Sequence, residues 1–322
     1  MKDMEPMNNR PASEAETVET PTTQATRRRG LLKRTWDALD RPVDAIHNKL
    51  QKSPFWQEYG YLALCFLIPA LIVYLIYLSR LLHPFGDGCV LVLDLNGQYV
   101  WFFEALRNFA RGDADLLYSF SRALGGEFLG IYAYYIASPL SFLVCLFPQK
   151  MMLEALLTLF MLKAALCGLT FGIYMHKTLK DRRPFAVITF SIFYALTAYA
   201  VIQQHNTMWI DAVMWLPLIT LGIESLIKEG KFKLYSVSLA IAIWSNFYIG
   251  YMLCFYCAIY FFLYYLGHKP SDRNPRGQRA HFIRALIRMG IFSALAVGVA
   301  AVVIFGAYYA LNFGKTTFTN PK

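Results

Sequence analysis

Tyr61 to Leu78 reads YLALCFLIPALIVYLIYL, eighteen residues without one charge. As an α-helix such a run covers about 27 Å, close to the hydrocarbon thickness of a bilayer. It predicts a membrane span, and the chain repeats the pattern. Further apolar segments lie at about 131–148, 151–175, 185–203, 208–227, 233–248, 250–266 and 284–311. Composition agrees. Of 322 residues 57% are hydrophobic and only 16% charged, against about a quarter charged in soluble domains. The 21 Tyr and 25 Phe suit aromatic belts at two interfaces. The fold class expected is therefore an all-α integral membrane protein, a multi-spanning helical bundle.

Upstream of that first span, residues 1–30 are polar and read as a disordered leader. The basic cluster Arg27, Arg28, Arg29, Lys33 and Arg34 follows. Leu31, Leu32, Trp36, Leu39, Val43, Ile46 and Leu50 recur at helical spacing. Residues 31–58 thus read as an amphipathic juxtamembrane helix lying on anionic lipids of the inner leaflet, or alternatively as a solvated linker. No cleavable signal is visible before the first span, so that span is expected to stay as an anchor. The net charge of +10 reads as topology and lipid headgroups; no nucleic-acid motif accompanies it. Basic residues fix the threading. If every apolar segment crosses, Lys177, Lys180, Arg182 and Arg183 fall outside. If 131–148 is instead re-entrant, this cluster lies inside with Lys228, Lys231, Lys233, Lys269, Arg273, Arg276, Arg279, Arg284 and Arg288. Tyr132, Tyr134, Tyr135, Ser138 and Pro139 suit an interfacial turn better than a lipid-facing helix. The expectation is a cytoplasmic N-terminus, seven spans within 59–315, an extracytoplasmic 81–148 that includes the re-entrant helix, and an outer tail at 316–322.

This threading puts three polar clusters on the outer side. In the first, Asp87 sits between Gly86 and Gly88, and Asp94 opens a helical stretch with Gln98 and Tyr99. Asp94 is either an N-cap or a general base or cation ligand at the membrane surface. Asp113 and Asp115 read as solvated; Arg107, Arg111 and Arg122 could bind phosphate or neutralise carboxylates. The second cluster runs from Gln203 to Asp211. Its His205 and Asp211 are costly at the membrane and read as functional, against helix capping by Asn206 and an interfacial Trp209. The third holds Asn246 and Tyr248, where Asn246 could hold a sugar or bond a backbone carbonyl. Lys163 is ionisable within a span, snorkelling or paired. Cys65, Cys145, Cys167, Cys254 and Cys257 all lie in apolar segments and read as packing residues, Cys254 and Cys257 included despite their redox-like spacing. No phosphate-cradling glycine loop and no His/Cys metal spacing is present.

Taken in order, Asp94-Leu95-Asn96-Gly97-Gln98-Tyr99 with Phe102-Phe103, Leu117 to Ser121 with Leu124-Gly125-Gly126, Tyr134-Tyr135, Ser138-Pro139, Asn206 to Asp211, and Ser245 to Tyr251 resemble the YfhO family of bacterial membrane proteins. The resemblance covers about residues 60–315. It implies a GT-C-type glycosyltransferase that takes a sugar from a polyprenyl-phosphate carrier at the outer membrane face and passes it to a teichoic acid-like envelope glycopolymer. It also implies that an acidic residue of the first outer loop is catalytic, Asp94 first and Asp87 second. Gln98, Tyr99, Arg122, Tyr134, Tyr135, His205, Asn206, Trp209, Asp211, Asn246 and Tyr248 are then the candidate substrate-binding residues, and a divalent cation could bridge phosphate and carboxylate. YfhO-like chains usually continue through further spans, whereas this sequence stops at Lys322, so it is read as an N-terminal portion, from a truncated product, a split gene or a short paralogue, for which the resemblance leaves acceptor binding and activity open. The alternatives are a non-catalytic assembly partner, or a lipid or polysaccharide transporter with His205 and Asp211 relaying protons.

Overall fold

The computed structural model describes residues 37–45, 58–120, 125–179, 183–268 and 277–313. Arg122, the whole polar leader, much of the juxtamembrane segment and the 316–322 tail lie outside the described residues. The described chain is almost wholly helical, as the apolar runs require: backbone polar groups in lipid must be satisfied within the segment.

Helix α1 (37–45) precedes the first span, α2 (Leu62–Ser79). A loop leads to a π-helical turn (Leu95–Tyr99) that continues into α3 (Val100–Arg111), which ends on Gly112 in the left-handed conformation. A two-residue hairpin pairs β1 (Tyr118–Ser119) with β2 (Gly126–Glu127). Then come α4 (Leu129–Ile136) and a 3₁₀ helix (Pro139–Leu146), α5 (Met152–Thr178), α6 (Pro184–Ala195), α7 (Ala198–Ile202), α8 (Thr207–Glu229), α9 (Lys233–Ser245), α10 (Phe247–Gly267), α11 (Gln278–Val299) and α12 (Ala301–Phe313). Five helices are long and apolar enough to span on their own, and up to seven if each of two bent pairs counts as one span.

The bends fall where the local chemistry makes them. The segment expected to be re-entrant is α4 and the 3₁₀ helix, which meet at 98°. Ser138 caps the second half by accepting from the Leu140 N–H, and Pro139 occupies its first turn, where a missing N–H costs nothing. The stretch expected as one span at 185–203 is also bent, by 42°, where Thr197 starts α7 and its hydroxyl accepts from the Ala200 N–H. The stretch expected as one span at 284–311 is divided at Ala300 into α11 and α12. Beyond that break α12 packs on α4: Gly306 lies against Leu129, and a Cβ on Gly130 would come within 2.4 Å of Ala310. The two short helical stretches anticipated between 233 and 266 are a tight antiparallel pair. Gly250 sits where a Cβ would meet the Ile243 Cα at 2.7 Å.

Glycine sets the other close approaches. A Cβ on Gly168 of α5 would meet the Cys65 carbonyl oxygen of α2 at 2.2 Å, and one on Gly222 of α8 would meet the Tyr235 backbone of α9 at 2.6 Å. Helices in lipid lack a strong hydrophobic drive to associate, so backbone proximity of this kind supplies much of their packing. Two principal cores result. One joins α8 to α11 around Ile219, Ile223, Tyr235 and Phe261. The other joins α2, the π turn, α3, α4 and α5 around Leu95, Phe103, Ile136 and Leu156.

Candidate functional site

The polar residues divide between the two ends of the bundle. At one end His176 is buried and bonded through Nδ1 to the Tyr61 hydroxyl at 2.6 Å. Arg183 reaches Asp37 of α1 at 3.2 Å, and Asp40 Oδ1 accepts from the Phe185 N–H, one of the orphan amides at the start of α6. Glu224 accepts from Tyr260 and Tyr174 and lies 3.5 Å from Lys228. Most of the bonds here close on residues of the fold itself.

At the opposite end the three sequence clusters come together around Tyr99. Asp94 is exposed and precedes the π turn, but its side chain caps nothing: the helix-start alternative is not the role the structure shows. Its Oδ2 instead lies 3.3 Å from the Tyr99 hydroxyl, which also reaches Asn206 Oδ1 at 3.0 Å. A phenol has one proton, so these two acceptors share one donor. The shorter distance is to Asn206, and Asp94 keeps most of its acceptor capacity open to solvent. Burial and the nearby Asp94 charge raise the Tyr99 pKa, which keeps its hydroxyl a donor at neutral pH. Asn206 is likewise no cap; its amide donates to Gln203 Oε1 at 2.7 Å and lies 3.1 Å from His205 Nε2. His205 Nδ1 sits 3.0 Å from the Ile202 carbonyl, so a proton on Nδ1 satisfies both contacts.

An aromatic series runs away from Asp94. Tyr99 packs on Tyr135 at 5.2 Å between ring centres, Tyr135 on Tyr134 at 4.6 Å, and Tyr134 on Phe247 and Tyr248 at 5.8 and 6.1 Å. Asn246 stabilises this corner rather than facing solvent. It is 1% exposed, accepts from the Ile249 N–H and donates to the Tyr134 carbonyl at 2.7 Å. Of the two roles considered for it, the backbone-carbonyl bond is the one observed.

Other candidates stand apart. Asp211 is 1% exposed and paired at 2.8 Å with Lys163, 2% exposed. Lys163 also donates to the Thr207 carbonyl, and Ser138 donates to the other Asp211 oxygen. This buried group joins α5, α8 and the bend between α4 and the 3₁₀ helix. Asp87 and Gln98 are exposed, and neither has a hydrogen bond or ion pair to the Asp94 group among the described residues. Trp209 is half-buried, and its indole N–H has no partner among the described residues. Sequence reasoning missed the Lys163–Asp211 partnership, although two opposite charges in otherwise apolar spans were the available signal. It also missed Glu127, which follows the Gly125-Gly126 turn and holds the Gly130 N–H at 2.8 Å.

Among the described residues no group of three or more His, Cys, Asp or Glu gathers to hold a metal. Around Asp94 the described donors are one carboxylate and a phenol, a poor match to the six or more oxygens that a hard divalent cation collects.

The comparisons accord with this architecture. A family model described as bacterial membrane protein YfhO matches residues 64–322. A Bacillus subtilis (strain 168) protein, "Uncharacterized protein YfhO", is 26% identical over 204 residues, which is 58% of this chain and 23% of that protein. The match thus spans about a quarter of the relative's length. No solved structure matches. With the family model covering most of the chain, this protein belongs to the YfhO family of bacterial membrane proteins.

Proposed function

We propose that this chain is part of a membrane glycosyltransferase of the GT-C type, moving a sugar from a polyprenyl-phosphate donor to an envelope glycopolymer at the outer face, with Asp94 as general base. The observation that carries the reading is the open Asp94 carboxylate beside the Tyr99 hydroxyl, next to an aromatic wall at one end of a membrane bundle. The basic residues Lys177, Arg183, Lys228 and Arg288 belong to the other end, which the positive-inside rule makes cytoplasmic. The Asp94 end then faces outward, and the N-terminus is cytoplasmic.

In this reading an acceptor hydroxyl approaches Asp94 and loses its proton to it as the oxygen attacks the anomeric carbon. The carbon–oxygen bond to the carrier phosphate breaks, and the phosphate leaves with that electron pair. The Tyr99 hydroxyl, held beside Asn206 that Gln203 and His205 fix, has one proton to share, and it steadies the carboxylate when that proton turns to Asp94. A lipid-borne donor fits a chain without a nucleotide-cradling loop. A transporter relaying protons from His205 to Asp211 is less well supported. Asp211 is closed on Lys163 and Ser138, and His205 on Ile202 and Asn206, with no bond between the two among the described residues.

The test is Asp94→Asn in the full-length protein of this family, assayed for consumption of polyprenyl-phosphate sugar in proteoliposomes. Transfer is expected to fall by roughly 10²-fold or more with insertion and thermal stability unchanged. Because Asp94 caps no helix, wild-type activity in this variant would remove it from the chemistry.

A further inference from the structure

We propose that Arg107 and Arg111 of α3 form a binding site for the phosphate of an anionic lipid in the outer leaflet, apart from the Asp94 site. The leaflet rests on the orientation given above; the phosphate chemistry does not.

The site is built around a buried cation whose partners are neutral. Arg107 is 6% exposed. Its Nε donates to the Phe147 carbonyl at 2.9 Å, just past the end of the 3₁₀ helix, and its Nη1 donates to Asn108 Oδ1 at 3.3 Å. A guanidinium carries five N–H donors, so three remain, and the Nη2 pair is not sealed from solvent. Arg111 stands one turn further along the same face and is exposed. Both guanidinium charges act on the Cys145 thiol, so both lie near the end of the 3₁₀ helix. The sequence pattern allowed these arginines two roles, phosphate binding or neutralising nearby carboxylates. Neither forms an ion pair among the described residues. The acids alongside are engaged elsewhere or apart: Glu104 accepts from Gln149, Asp115 accepts from the Leu117 N–H, and Asp113 is exposed beyond Gly112. Burying a charge without a counter-charge is costly, and a carbonyl with an amide offsets only part of it.

The surroundings select the ligand. Guanidinium groups present a planar fork that matches phosphate oxygens two at a time. Next to the Phe147 carbonyl, Leu146 is 78% exposed, and Lys150 and Met151 on the following turn are exposed as well. Apolar side chains left open beside cations suit the boundary between headgroups and acyl chains, where one lipid satisfies both. A soluble phosphate would leave Leu146 in water. The site is also separate from the proposed base. Along the continuous π turn and α3, Arg107 lies roughly 20 Å from Asp94 at about 1.5 Å per residue, so one phosphate cannot touch both. A lipid held here ties α3 and the end of the 3₁₀ helix to the membrane surface.

The experiment is photo-crosslinking from Leu146→p-benzoylphenylalanine in the chain reconstituted into nanodiscs of equal phosphatidylglycerol and phosphatidylcholine. Mass spectrometry of the adduct reads which lipid is captured. Phosphatidylglycerol is expected to exceed phosphatidylcholine about tenfold, the weight of one charged hydrogen bond. Arg111→Gln, at an exposed residue without an ion pair among the described residues, should bring the captured ratio close to that of the mixture with thermal stability unchanged. Arg107→Lys keeps the charge but loses the fork, and the ratio should fall severalfold. Lys231→Gln, at the opposite end, should change nothing. A large excess of glycerol 3-phosphate in the buffer should leave the ratio as it is; collapse to the mixture's value would assign the site to soluble phosphate and overturn the lipid. A captured ratio equal to the mixture's in the unsubstituted background, or a preference that survives Arg111→Gln, overturns the site. An inverted orientation would show in accessibility labelling of intact cells and would move the site to the other leaflet, with the captured ratio still standing.

Discussion

Lys163 and Asp211 show how a single pair of residues can be costly and still necessary. Each is nearly inaccessible, and each would carry a large desolvation penalty alone. Together, with the Thr207 carbonyl and the Ser138 hydroxyl completing their bonds, they close a charge-neutral group inside the bundle. Removing one member strands the other. Lys163→Met or Asp211→Leu alone is therefore expected to destabilise by about 3–5 kcal/mol, while the double variant Lys163→Met with Asp211→Leu should recover most of that loss. Reversible unfolding of the four proteins in mixed micelles checks it. A loss in the double variant equal to the sum of the two single losses would show that the residues act independently.

The elements are shaped by where backbone can come close and where it must turn. Gly168 and Gly222 allow contact between α5 and α2 and between α8 and α9. Their replacement by valine forces side chain into backbone, which cannot give way as a flexible side chain would. Gly168→Val and Gly222→Val should each cost about 1–3 kcal/mol or more, whereas Gly290→Ala, with open space around it, should be close to neutral. Thermal unfolding in one detergent compares the three. Beside the bent pair of α4 and the 3₁₀ helix the determinant is polar. Asn246 caps α10 and holds the Tyr134 carbonyl, so Asn246→Ala gives up two bonds at once. It should lower stability by about 1–3 kcal/mol and speed hydrogen exchange around Ile249. Exchange unchanged there would mean that the turn holds itself.

At the scale of the whole molecule the two ends differ in kind. One gathers Lys177, Arg183, Lys228 and Arg288 with their acidic and aromatic partners; the other gathers Asp94, Tyr99, His205 and Asn206. Charge asymmetry of this sort sets orientation during insertion. Single cysteines placed at Asp113 and at Lys231 in a cysteine-free background should label differently with an impermeant maleimide on intact cells: Asp113→Cys reacts, Lys231→Cys reacts only after permeabilisation. The opposite pattern would invert the protein and remove the outer-face reading of the Asp94 cluster.

The amino-acid sequence alone determined that this chain is a helical membrane protein, because apolar runs of span length are a local property that no tertiary contact can reverse. It also marked Ser138-Pro139 as a turn, since proline and a hydroxyl cap act within their own few residues. The mutual position of Asp94, Tyr99 and Asn206 was only partly legible: the pattern put them on one side of the membrane, but not within hydrogen-bond reach. Tertiary structure alone decided that Asp211 pairs with Lys163, that Asn246 donates its amide to a backbone carbonyl, and that 284–311 divides at Ala300. Each of these depends on which helix lies opposite, and in lipid that choice is made by close steric fit and by the pairing of a few polar groups. Hydropathy, which every span shares, does not encode it.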